Sequence, residues 1–96
     1  MTNEDFIKLL NDVAKKAKPH GNDLLKITSM DQDLRDCGLD SLDMLVVGMY
    51  LCEVWDIDNE TSKNMNGHTP ELLLGFLDVH GARKPNTYEE AVSLIK

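Results

Sequence analysis

The segment Asp36-Cys37-Gly38-Leu39-Asp40-Ser41-Leu42-Asp43, continued by the apolar run Met44 to Trp55, constrains this chain more than any other stretch. It reads as a loop closing on Gly38, followed by a helix from Ser41 to about Trp55. Asp40 is a good N-cap residue, and Asp43 at N3 can reach back in the manner of a capping box. Ser41 then occupies the first helical position with its hydroxyl outward. There the unpaired N–H groups and the positive dipole end favour an attached anion, so a serine at this position suits a covalently held phosphate. The run behind it is apolar on more than one face. Leu42, Leu45 and Met49, and likewise Val47, Leu51 and Trp55, are core candidates at helical spacing, which leaves Met44, Val46 and Tyr50 over. A helix this apolar buries most of its circumference or exposes a strip for binding.

The rest of the chain limits the core such a helix can join. With 96 residues, 42% hydrophobic and 5% aromatic, the expectation is one domain over 1–96 with an aliphatic core of Leu, Val, Ile and Met. No apolar run approaches a membrane span, and Glu4 and Asp5 stand where a secretory signal would carry positive charge. A cytoplasmic protein is expected. Cys37 and Cys52 lack metal-ligand spacing and are too few for a disulfide framework, so they read as reduced thiols.

The net charge of −7 is unevenly spread: residues 28 to 60 hold nine acids against Arg35 alone, a net −8. A generic solvated face is the plainer reading of such a block. Its coincidence with Ser41 favours a field that steers basic partners to this region and repels nucleic acid.

Along the chain, Thr2 and Asp5 mark the start of a first helix with Phe6, Leu9, Leu10, Val13 and Ala17 on one stripe. Lys15, Lys16 and Lys18 complement its C-terminal dipole, and Pro19-His20-Gly21 stops it. Leu24, Leu25 and Ile27 extend the helical pattern briefly or anchor a long loop, and from Thr28 to Leu39 no period emerges. Met30, Leu34 and Leu39 are expected to pin that loop to the core. Thr61 to His68 reads as a polar loop. Thr69 and Pro70 then open a helix over Leu72 to Val79, stopped at Gly81, with Leu73, Phe76 and Leu77 facing the bundle. This helix is expected to lie alongside the Ser41 helix and cover part of the strip carrying Met44 and Val46. Thr87-Tyr88-Glu89-Glu90 is a capping box opening a short last helix with Tyr88, Ala91, Val92 and Ile95 inward.

Catalytic readings fail on spacing. Asp31-Gln32-Asp33 suggests a calcium loop, but Arg35 takes the next ligand position and Leu42 the place of the closing glutamate. Ser41 has Asp43 where a hydrolase elbow has its second glycine, and His20, His68 and His80 are scattered. The same scatter argues against zinc. The chain reads as no enzyme.

Gly38-Leu39-Asp40-Ser41-Leu42-Asp43 resembles the prosthetic-group attachment motif of acyl carrier proteins. The likeness is best from Thr28 to Ile57, looser over 1–27, returns at 87–95 and fails between Asn59 and Pro85. It implies an all-α fold, a small four-helix bundle of acyl-carrier type with a long loop between helices 1 and 2. It also implies 4′-phosphopantetheine, taken from coenzyme A by a phosphopantetheinyl transferase and attached at Ser41, whose thiol carries acyl groups as thioesters. Acyl-transferring or acyl-synthesising enzymes with basic docking surfaces would be the partners of a monomeric carrier. They would meet Asp40, Leu42, Asp43, Met44, Val46 and Glu53. Where the family usually carries glutamates on this helix, the chain has Met44, Val46 and Cys52, a departure that bears on recognition by ordinary fatty-acid-synthesis enzymes and not on the attachment chemistry. Two alternatives stand beside it: a peptidyl carrier domain, and an unmodified acidic helical adaptor working by protein contacts.

Overall fold

The computed structural model describes residues 1–19, 24–65 and 67–95. It is all-helical, with no strand among these residues: α1 Asn3–Ala17, α2 Ser41–Trp55, α3 Asn59–Ser62, α4 Pro70–His80 and α5 Tyr88–Leu94, with a 3-10 turn Leu34–Cys37 before α2. Each helix starts where a side chain can accept from its first free N–H groups. Thr2, Asp40, Asp58, Thr69 and Thr87 accept from the N–H of Asp5, Asp43, Thr61, Leu72 and Glu90 respectively.

The two long helices carry most of the core. In α1, Phe6, Leu9, Leu10, Val13 and Ala14 are buried, with Ala17 at the margin. The helix ends at Ala17 with Lys18 as its cap, and the expected stop residues His20 and Gly21 lie outside the described residues. In α2 the buried side chains are Val47, Leu51, Cys52, Val54 and Trp55. The Trp55 indole meets the Phe6 ring edge-on, with centroids 5.8 Å apart at 87°, and its Nε1 donates to Asp78 at 3.4 Å. Full burial of one such side chain stabilises the fold by about 1.5–3 kcal/mol. α1 packs against α2, α4 and α5, and α2 against α3, α4 and α5.

Half of the core expected for α2 is not core. Leu42, Leu45 and Met49 are 69%, 62% and 66% exposed, while Met44, Val46 and Tyr50 are not uniform either: Met44 and Tyr50 pack partly against the core, and Val46 lies beside them on the α3 side. Of the two expected stripes only Val47–Leu51–Trp55 is buried, with Cys52 and Val54 beside it. The reason is packing: α2 is covered by α1, α4 and α5, while α3 beside it is a single turn that buries no residue of its own.

The long loop after α1 is held by side chains rather than by a period. Asn11 accepts from the Ile27 N–H at 2.8 Å and donates to the Ile27 carbonyl at 2.9 Å. Gln32 accepts from the Thr28 N–H at 2.8 Å and donates to Cys37 Sγ at 3.0 Å. Ile27, Leu34 and Leu39 are buried as anchors, with Met30 half-buried and Leu25 exposed. Backbone bonds from Leu34 N–H to the His68 carbonyl, 2.8 Å, and from Glu71 N–H to the Met30 carbonyl, 2.9 Å, tie this loop to the start of α4.

Three expectations about the later chain change. The segment 61–68 is not loop throughout, because α3 occupies Asn59–Ser62; it is one turn with no buried residue, capped by Asp58 at 2.7 Å from the Thr61 N–H. In α5, Ala91 is buried and Tyr88 half-buried, as is Ile95 at its C-cap, but Val92 is exposed. The capping box expected at Thr87 forms only in one half: Thr87 accepts from the Glu90 N–H, but the Glu90 carboxylate accepts from the Asn86 N–H at 3.1 Å, one residue ahead of the cap, and not from Thr87. α4 runs as expected from Pro70 to a stop at Gly81, with Leu73 and Leu77 buried and Phe76 half-buried against the His80 ring, 4.4 Å away.

Candidate functional site

Ser41 stands at the first position of α2, exposed, on a turn fixed from both sides. Before it, the 3-10 turn ends at Gly38, whose φ of 98° is left-handed and favours glycine. Leu39, the next residue, is buried and anchors the turn to the core, while Asp40 is exposed. After it, the capping box is complete. Asp40 Oδ1 accepts from the Asp43 N–H at 2.9 Å, and Asp43 Oδ2 accepts from the Asp40 N–H at 3.1 Å. The Asp40 carbonyl takes the Met44 N–H at 2.9 Å, which begins the helical ladder. Ser41 lies inside this reciprocal pair, so the turn that presents its hydroxyl has little room to move.

A cation reaches the same turn from α1. Lys18 Nζ donates to the Gly38 carbonyl at 2.8 Å and stands 3.5 Å from Asp43 Oδ2. Instead of complementing the end of its own helix, as the sequence suggests, this lysine bridges to the Ser41 turn. The Asp40 carboxyl is held below its usual range, first by the Asp43 N–H and then, against some desolvation, by the positive charge of Lys18. Asp43 is no free surface acid: its side chain is 15% exposed and engaged on both sides.

Along α2 from Ser41 runs a cavity of about 230 Å³, lined by Met44, Gly48, Met65, His68 and Leu73. Gly48 sits in mid-helix, and a Cβ there would meet only Met65 Sδ, at 3.6 Å. A glycine at this position costs helix stability that alanine would not, and it leaves the cavity wall open. A second cavity of about 430 Å³, lined by Val46, Tyr50, Glu53 and Asn59, shares Met49, Cys52 and Ser62 with the first. The two form one trough down the α3 side of α2.

The expected site residues divide accordingly. Ser41 and Met44 share the first cavity; Val46 and Glu53 line the second. Leu42 belongs to the exposed stripe with Leu45 and Met49, and Asp40 and Asp43 form the capping box. α4 reaches the Met44 cavity through Leu73, whereas Val46 faces α3, so the expected covering of that strip by α4 is met at Met44 and not at Val46. Lys18 and Met65 join the site without being marked for it in the sequence. Neither carries a local sign of its place, whereas Gly48 stands out inside an apolar helical run.

Both cysteines are free and buried, and burial pushes each thiol pKa up. No group of three or more histidine, cysteine or carboxylate side chains among the described residues is placed to hold a metal ion. No helix among them is long and apolar enough to cross a membrane. No family model matches the chain, and neither does any curated protein or solved structure.

Proposed function

We propose that this chain is an acyl carrier protein, its bundle of the acyl-carrier type, which holds acyl groups on a 4′-phosphopantetheine arm at Ser41 and presents them to partner enzymes. The observation that carries the reading is the exposed Ser41 hydroxyl at the first position of α2, inside the Asp40–Asp43 capping box and behind the left-handed Gly38.

The residues present suit the group. Ser41 offers an exposed nucleophile at a helix start, where the dipole favours a phosphodiester. Asp40 and Asp43 would repel it, but Asp43 is paired with Lys18. The trough beside Ser41 is walled by methionine, leucine and cysteine, a lining that suits an apolar chain. When attached, the arm supplies a terminal thiol on which acyl groups ride as thioesters.

The attachment is a phosphoryl transfer carried out by a separate transferase. A bond forms between Ser41 Oγ and the pantetheine-side phosphorus of coenzyme A, and the bond from that phosphorus to the bridging pyrophosphate oxygen breaks. Adenosine 3′,5′-bisphosphate leaves, and the serine proton passes to a base on the transferase. The chain's own part is to hold Ser41 outward and rigid and to draw basic partners to the acidic block at 28–60.

One observation favours a second reading, an adaptor that binds partners without modification: Leu42, Leu45 and Met49 form an exposed apolar stripe on α2. Co-expression with a broad-specificity phosphopantetheinyl transferase separates the two. The wild-type chain should gain the mass of one phosphopantetheine, and Ser41→Ala should gain none while its circular dichroism stays helical. An unmodified wild type would sink the carrier reading in favour of the adaptor.

A further inference from the structure

We propose that Lys18 is a positioning residue for chemistry at Ser41, clamping the serine's turn to α1 and neutralising the carboxylate beside it. The function side of this inference rests on the carrier reading; the clamp itself does not.

Lys18 joins the end of α1 to the start of α2. Its backbone N–H closes α1 on the Ala14 carbonyl at 3.0 Å, while its Nζ crosses to the Gly38 carbonyl at 2.8 Å and to Asp43 at 3.5 Å. Gly38 is the left-handed residue that turns the chain into α2, and Asp43 is the residue whose carboxylate holds the Asp40 N–H. One ammonium therefore grips both sides of the turn that carries Ser41.

The ammonium also changes the charge that an incoming phosphate meets. Asp36, Asp40 and Asp43 surround the serine in sequence, and a pyrophosphate donor approaching them meets like charge. The one cation within this acidic block, Arg35, is committed to Asp33 through bonds of 2.7 and 3.1 Å. Lys18 contacts the turn directly, and it is drawn from the end of α1, outside the acidic block.

Three variants of the full chain separate geometry from charge. Lys18→Met removes both, Lys18→Gln keeps a donor for the Gly38 carbonyl without the charge, and Lys18→Arg keeps both. In Lys18→Met, hydrogen exchange of the Asp40 and Asp43 amides should quicken by about tenfold. The Val47 and Leu51 amides should hold their wild-type rates, and Lys18→Arg should restore the protection. With coenzyme A and a transferase, followed by mass, Lys18→Met should be modified about tenfold more slowly than wild type. Lys18→Gln should fall between them, and its deficit should close as salt rises toward about 1 M, where the screening length is about 3 Å. A merely structural loss would not respond to salt in this way. Unchanged exchange in Lys18→Met, or modification at the wild-type rate, overturns the proposal. A wild-type chain that is never modified overturns the carrier reading instead, and the exchange measurement still decides the clamp.

Discussion

Arg83 and Val54 meet end to end: the guanidinium Nε of Arg83, beyond α4, donates to the Val54 carbonyl in the last turn of α2 at 2.8 Å. Its Nη2 adds the Glu53 carbonyl at 2.7 Å, and its backbone N–H takes the Trp55 carbonyl at 3.1 Å. The last carbonyls of a helix have no partner within it, and here a residue from a later turn satisfies three. Arg83 is thus the closing counterpart of Asp40, one at each end of α2.

Arg83→Ala should therefore destabilise the fold by about 1–2 kcal/mol, since it strands the Val54 carbonyl and leaves the Glu53 carbonyl with the Asp56 N–H alone. The conservative change Arg83→Lys should recover less than half of that loss, because an ammonium cannot present the same fork. Urea denaturation checks both, and an Arg83→Ala midpoint equal to wild type would show that water replaces the guanidinium at no cost.

The faces of α2 should separate sharply under substitution. Leu45→Gln should change stability by less than about 0.5 kcal/mol, because its side chain is exposed. Leu51→Ala, at a fully buried site, should cost about 2–5 kcal/mol. Phe76→Ala should fall between, since its ring is half-buried. Equal costs for Leu45 and Leu51 in chemical denaturation would mean that the Leu42–Leu45–Met49 stripe is covered in solution.

Acid should weaken the fold through its caps. Asp33 is lowered from 3.8 to about 2, chiefly by the Arg35 side chain. Asp40 is lowered by the Asp43 N–H and Asp58 by Thr61. A carboxyl with a depressed folded pKa stabilises fully above its unfolded value, and that contribution disappears as pH falls through the folded value. For Asp33 the window runs from 3.8 down to about 2. Thermal midpoints should hold above about pH 5 and fall below about pH 4. Asp40→Asn, which keeps the cap acceptor without the charge, should make that fall shallower. A midpoint that rises on acidification through this range would contradict it.

Helix starts are legible in the sequence and helix faces are not, for one physical reason. Thr2, Asp40, Thr69 and Thr87 declare their helices through local bonds to residues three positions on, and local bonds are written in local sequence. Leu42, Leu45 and Met49 are of the same kind as Val47 and Leu51, so only the placing of α1 and α4 decides which stripe is buried. The single turn α3 begins with its own signal, Asp58, but with no buried residue it has no period to read. At the candidate site, Ser41 and its capping box follow from the motif. Lys18 does not, because its partners lie far along the chain and a lysine at a helix end already has a local explanation.

Trp55 is the sole tryptophan, and it sits where the parts of the fold converge: Phe6 of α1 against its ring, Asp78 of α4 at its nitrogen, and the Arg83 turn on its carbonyl. Its fluorescence is therefore a built-in gauge of assembly. One emission signal follows the docking of α1 and α4 onto α2 together, and no label need be introduced near the Ser41 turn.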